Sequence, residues 1–300
     1  MKKLNLGKLS GVFTEESSQQ LTPLPEEHAD PPAVPAAGSE VQPIPKRSWR
    51  AEWIDVGIAV AVWFISVILL LVVPVVYVIP YLVYRIAKFG APAPEALATD
   101  KMLIFFSVVG ILPTHVLTFV LVWLVVSYAG RRPFLKNIGF EWPQNSTPAM
   151  TTMLCTVLAI VLFSLAFAIT MLYGERKTDL DLLIESSIYT RFATAFVAVV
   201  TAPLAEELIY RGVLYKALEK AAGVAMAVVF VSLLFAGVHV FQYRNNLAVI
   251  AVITLLSITL TVARAVSGKV LPAFIIHLVF NGIQSVLIVV GAFVDKDILK

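Results

Sequence analysis

From Trp53 onward the chain runs as long apolar segments separated by short polar ones. Each segment is close to the length of about 20 residues that an α-helix needs to cross a bilayer. Seven spans are predicted, at roughly 54–84, 102–129, 150–173, 190–218, 223–242, 247–266 and 270–294. The first carries Pro74 and Pro80 and is expected to tilt, kink or break; Pro113 and Pro203 are expected to kink the second and fourth. The connection from Gly174 to Ile188 is the one strongly polar loop, expected to lie at the interface as a short helix. The fold class is therefore all-α, a polytopic transmembrane helix bundle.

Composition agrees with a lipid setting. Hydrophobic residues make up 59% of the 300 positions and charged residues 14%, where a soluble domain carries about 25% charge. The net charge of +3 is small and dispersed, which excludes nucleic acid as the expected partner. The single cysteine, Cys155, rules out an internal disulfide and a Cys-rich metal site, and its apolar surroundings give it a packing role. The first fifty residues differ in kind. Seven prolines, from Pro23 to Pro45, punctuate a stretch with few large apolar residues, which reads as a disordered tail. It has no early apolar run, so no cleavable signal peptide is expected. Lys46, Arg47 and Arg50 before the first span, with Arg131, Arg132 and Lys136 after the second, favour a cytoplasmic N-terminus in a cell membrane. Arg85, Lys88 and Lys101 on the opposite side weigh against it.

The chemistry lies in the last third. Glu206, Glu207 and Arg211 interrupt an apolar stretch, and each such group costs about 2.5–3.5 kcal/mol at the centre of a membrane helix. They must face a protein interior or a wet cavity. Glu207 and Arg211 are four apart and share a helix face, the geometry of an intrahelical ion pair. Glu206, about 100° away, has no cation of its own and is the candidate general base. Phe235 with His239, and His277 with Asn281, repeat the four-residue spacing on later spans. At about 1.5 Å per residue, Glu206, His239, His277 and Asn281 lie about 18, 24, 10 and 16 Å from one side of the membrane, close enough to share a cavity. The plainer reading is a buried charge cluster that locks helices together, helped by His and Asn hydrogen bonds of about 1 kcal/mol or less.

Glu206-Glu207-Leu-Ile-Tyr-Arg211, Phe235-Ala-Gly-Val-His239 and His277-Leu-Val-Phe-Asn281 resemble the three motifs of the CAAX protease and bacteriocin-processing (CPBP) family. That family includes the type II CAAX prenyl endopeptidases, which are glutamate-dependent intramembrane proteases. Pro203, Tyr210, Gly212 and Pro272 fit the same pattern, and the resemblance covers about residues 195–285. It implies an intramembrane endopeptidase in which Glu206 and His239 activate a water and His277 and Asn281 donate to the oxyanion. Glu207 and Arg211 would support that geometry, with Phe235 packed on the His239 face. The resemblance also implies a metal-free reaction, and the spans carry no His-Glu-x-x-His helix; Glu206, His239 and His277 are the ligands if zinc is used instead.

The resulting organisation is a tail over 1–50, N-terminal transmembrane helices of unassigned role over 51–185, a CPBP-like catalytic core over 186–294 and a short tail over 295–300. The spans hold no pair of aspartates for an aspartyl protease, and Ser267 falls outside them, which disfavours a rhomboid-type serine site. The expected partners are the lipid bilayer and a membrane-associated protein or peptide substrate, its lipidation left open. The alternative is a non-catalytic scaffold, bacteriocin-immunity protein or transporter built on the same polar cluster.

Overall fold

A computed structural model describes residues 48–173, 178–244 and 246–294. The tail expected over 1–50 lies outside them except for its last three residues, as does the tail 295–300.

Helix α1 (Trp49–Phe89) starts at Ser48, whose hydroxyl accepts the Ala51 N–H at 3.4 Å, and stops at Gly90, whose φ of 81° suits only glycine well. Its 41 residues contain Pro74 and Pro80 without a break. At about 1.5 Å per residue it is about twice as long as a bilayer core is thick, so it tilts or projects. After the short α2 (Pro94–Ala98), the second span is divided into α3 (Lys101–Val109) and α4 (Ile111–Val126). The division falls at Gly110 rather than at Pro113. A Cβ there would sit 2.8 Å from the Pro74 Cα, so close crossing with α1 sets the break. Pro113 lies in the first turn of α4, where a missing N–H costs little.

Helix α5 (Phe134–Ile138) leads to α6 (Pro148–Tyr173), and α7 (Asp179–Ser186) is the short helix expected in the polar loop. Thr178 and Asp181 form its capping box. The fourth span is one long stretch that changes its winding twice. α8 (Ile188–Phe196) passes into a π-helical segment Val197–Thr201, then α9 (Ala202–Glu207), a second π-helical segment Leu208–Leu214, and α10 (Tyr215–Ala222). Pro203 sits at the start of α9, just after the first wide turn. α11 (Val224–Tyr243), α12 (Leu247–Ser267) and α13 (Leu271–Val294) complete the bundle. α12 runs one residue beyond the expected span, and the Ser267 hydroxyl bonds back to the Ala263 carbonyl at 2.6 Å.

Among the described residues six helical stretches are long and apolar enough to cross a membrane, where seven spans were predicted; the seventh, α11, has a shorter apolar run, Val224–Val240. The described residues contain no strand. One core gathers residues of α1, α4, the second π segment, α10 and α11, including Val62, Val122, Leu214 and Phe235. The other joins α6, α12 and α13 through Ala159, Leu260, Ala273 and Ile276. Many large apolar side chains, such as Leu71, Leu172 and Val266, point outward, as a lipid-facing surface requires.

Successive spans alternate in direction, so charged loops pair at two ends. At the end that carries Trp49, the Val270 N–H donates to the Gly139 carbonyl at 2.8 Å and Lys269 meets Glu141 at 2.6 Å. That lysine holds the Glu141 carboxyl below its ordinary range. At the other end Asp100 accepts from Tyr81 at 2.9 Å and pairs with Arg85 at 2.7 Å. Burial works against the Asp100 charge, but these bonds and the N–H groups of Leu103 and Met102 together hold its carboxyl below the usual range.

Candidate active site

The two π-helical segments bracket the glutamates, one ending five residues before Glu206 and the other beginning at Leu208. Wide turns of this kind re-aim side chains and recur at functional sites. Glu206 and Glu207 point to different environments. Glu207 is fully buried, while the Glu206 side chain keeps 25% of its exposure.

Glu207 organises the closed side. Its Oε1 accepts from Arg211 at 3.0 Å and from Nδ1 of His277 at 2.9 Å. Arg211 is also fully buried and donates from its other terminal nitrogen to the Ser257 carbonyl, the Ser257 hydroxyl and the Thr261 hydroxyl at 3.0, 3.0 and 3.2 Å. Ser232 donates to Thr261 at 3.3 Å, and Arg264 donates to the Arg211 carbonyl at 3.2 Å. Glu207 Oε2 and Arg211 Nε have no partner among the described residues. A charged pair that is buried this deeply must be matched by neighbours, since an unpaired member would cost several kcal/mol.

The open side belongs to Glu206. Its Oε2 lies 3.7 Å from Nε2 of His277. A carboxylate only accepts, so the bond to Glu207 fixes a proton on Nδ1 of His277 and turns Nε2 toward Glu206. His239 is oriented by the same logic. Its Nδ1 donates to the Phe235 carbonyl at 2.8 Å, which leaves Nε2 as the free, basic nitrogen of the neutral ring. Among the described residues no direct hydrogen bond or ion pair joins His239 to Glu206.

Phe235 is the packing hub. Its ring centroid is 4.8 Å from that of His239, 6.1 Å from His277 and 5.0 Å from Tyr210, and the Arg211 guanidinium sits 4.8 Å away over its face. Asn281 lies one turn beyond His277, but its amide donates to the Ala198 carbonyl in the first π segment at 2.9 Å. The structure thus brings Glu206, Glu207, Arg211, Phe235 and His277 into one contact network, with the His239 ring tilted against Phe235. Asn281 anchors the wall beside it. One amide hydrogen of Asn281 and Nε2 of His277 are what the two residues have left for a further oxygen.

Several members are absent from the motif pattern. His115 on α4 lies 2.8 Å from the Thr201 hydroxyl at the end of the first π segment, and the charge of Glu206 acts on it. Tyr243 feels the same charge, as does Tyr210 within the first motif, which accepts from the Trp63 indole of α1 at 3.1 Å. His115 had a signal in sequence, as a histidine inside an apolar span, but its only polar neighbour one turn away is Thr118, and no charged group or amide repeats the pairing of the motifs. Ser257, Thr261 and Arg264 recur at intervals of four and three on α12, a polar stripe that sequence reading also passed over. No three His, Cys, Asp or Glu side chains among the described residues converge as a metal-ligand group.

No curated protein and no solved structure matches the chain. Residues 188–283, less than half of the chain but including every motif residue above, match the family model described as type II CAAX prenyl endopeptidase Rce1-like, consistent with the CPBP family and with a CAAX-protease-type enzyme.

Proposed function

We propose that this integral, multi-pass membrane protein is an intramembrane endopeptidase that cleaves a peptide bond of a membrane-associated substrate. The observation that carries the reading is the approach of Glu206 Oε2 to His277 Nε2 at 3.7 Å, on the one side of the polar cluster that is not closed by ion pairing.

In the proposed reaction a water lies between the Glu206 carboxylate and Nε2 of His239. Its oxygen attacks the scissile carbonyl carbon while its proton passes to Glu206. The carbonyl π electrons move to oxygen, and the oxyanion is met by His277 and Asn281. His277 can donate from Nε2 only as the imidazolium, because Nδ1–H is already given to Glu207. With His277 in that form, the charges of Glu206, Glu207, Arg211 and His277 sum to zero, which suits a membrane interior. Glu206 then returns its proton to the amide nitrogen as the carbon–nitrogen bond breaks. Glu207 and Arg211 act by holding His277, and Phe235 by seating the His239 ring.

The catalytic core in this reading is 186–294, with help from the helices of 51–185. Trp63 fixes Tyr210 and His115 reaches Thr201, so those helices form part of the wall. The reading is metal-free, with Glu206, His239 and His277 as the ligand candidates if zinc is used. In this reading the N-terminus is cytoplasmic. Arg131, Arg132, Lys136, Lys216, Lys220 and Lys269 all fall at the Trp49 end of the bundle, in keeping with the positive-inside rule. Membrane proteomics from cells with and without the active protein tests the proposal. A new peptide terminus in a membrane-associated protein, lost with Glu206→Gln, is the expected result; identical termini in both samples would refute it.

A further inference from the structure

A cavity of about 500 Å³ opens at the Trp49 end of the bundle, away from the glutamates. It is walled by α1, the end of α4 and the loop after it, the second π segment and α10. Its chemistry is two-sided. Arg132, Lys216 and Lys220 bring three cations to it against the one carboxylate of Asp55, and Tyr128 and Asn137 add polar groups. Ile58, Leu124, Val125 and Val213 supply an apolar surface, and Ala59 and Ala217 leave it room.

The cations are crowded rather than matched. Lys216 and Lys220 are one helical turn apart, a repulsive spacing for like charges. Lys216 also feels Arg264, with Asp55 as its attractive neighbour. The nearby Glu219 is turned away toward the Tyr215 hydroxyl at 3.2 Å. Lys216 is held in place by its bond to the Asn137 carbonyl. On the opposite wall, Tyr128 and Ala129 both adopt left-handed backbone, at φ 53° and 56°, a conformation unfavourable for side chains other than glycine. That turn presents Arg132 over the Tyr128 ring at 4.4 Å.

We propose that this cavity binds the phosphodiester headgroup of an anionic phospholipid. The phosphate would lie among Arg132, Lys216 and Lys220, and the first part of an acyl chain along the apolar wall. The location fits, because the cavity lies where the first, second and fourth spans end, at the level of lipid headgroups. Basic pockets between transmembrane helices recognise such headgroups, whereas a free phosphate makes no use of the apolar wall. The site is independent of the proteolytic reading. It does touch the same element, since Gly212 and Val213 directly follow Arg211, and an occupant would brace the second π segment.

The test uses the full-length protein in phosphatidylcholine vesicles with and without phosphatidylglycerol, read by thermal unfolding and by native mass spectrometry of retained lipid. Phosphatidylglycerol is expected to raise the Tm and to stay bound. Arg132→Gln with Lys220→Gln, both exposed positions, is expected to keep the wild-type Tm in pure phosphatidylcholine and to lose the gain, with binding weaker by about five-fold per charge. Lys88→Gln with Lys101→Gln, at the other end, is expected to retain it. The proposal fails if phosphatidylglycerol has no effect, if the Arg132 and Lys220 double variant keeps the gain, or if the control pair loses it equally. It also fails if inorganic phosphate in detergent reproduces the shift, since the occupant would then be a free anion.

Discussion

The two sides of the Glu206–Glu207 turn hold the same residue type in opposite circumstances. On the Glu207 side every carboxylate bond is to protein, from Arg211 and His277, and Ser257 and Thr261 hold Arg211 in turn, all of them buried. On the Glu206 side one carboxylate oxygen faces a histidine nitrogen at a distance too long for a bond, and a quarter of the side chain is open. A group held only by protein can orient its neighbours but cannot meet a substrate. A group with open coordination can, and it is stable there only because the closed side fixes the helix beneath it. Adjacent glutamates thus divide into a scaffold and a reactive group.

The largest expected effect comes from breaking the closed side. Arg211→Ala leaves Glu207 buried and uncompensated and also removes the bonds to Ser257 and Thr261, for a loss of about 3–5 kcal/mol. Thermal or denaturant unfolding in detergent reads this directly, and a loss below about 1 kcal/mol would show that the pair is not the scaffold. Next is the proposed oxyanion site. Asn281→Ala is expected to lower kcat by about 10²–10³ with little change in KM. Its bond to the Ala198 carbonyl offers a rival, because a merely structural Asn281 would lower the Tm and leave the turnover of folded protein near wild type.

A smaller effect is expected at His115. His115→Phe removes the contact to Thr201 and should loosen the first π segment, lowering kcat/KM by about ten-fold, which corresponds to one hydrogen bond of about 1 kcal/mol or slightly more. Thr201→Val should produce the same loss, and combining the two should add nothing further. Additive losses would place the two residues in separate roles. Smallest of all is the effect of metal removal. A chelator is expected to leave turnover unchanged. Complete inhibition restored by zinc would instead make Glu206, His239 and His277 ligands and move Glu206 out of the role of base.

The spans were legible because lipid imposes a simple length rule on apolar helices, and the ion pair because residues four apart must share a face. The short helix α7 was legible from its polar loop, with Thr178 and Asp181 in place for a capping box. What the sequence hid depends on tertiary packing. Gly110 divides the second span because α1 passes close to it, and nothing local to Gly110 announces that neighbour. Regular helical rise put Glu206 about 8 Å deeper than His277, yet their side chains meet at 3.7 Å. The π-helical segment Leu208–Leu214 packs more residues into each turn and draws Glu206 toward the Trp49 end. The bonds from His277 to Glu207 and from Asn281 to Ala198 each span many residues and follow from helix packing alone.

The division between the two glutamates is tested most directly by placing Glu206→Gln and Glu207→Gln side by side, with cleavage of one substrate and unfolding in detergent measured for both. Glu206→Gln is nearly isosteric at a part-open position, so it should abolish cleavage while the Tm stays close to wild type. Glu207→Gln should lower stability by about 3–5 kcal/mol, because Arg211 loses its buried counter-charge. Equal losses of Tm in the two variants, or continued cleavage by Glu206→Gln, would contradict the account and favour a polar cluster that serves binding or packing alone.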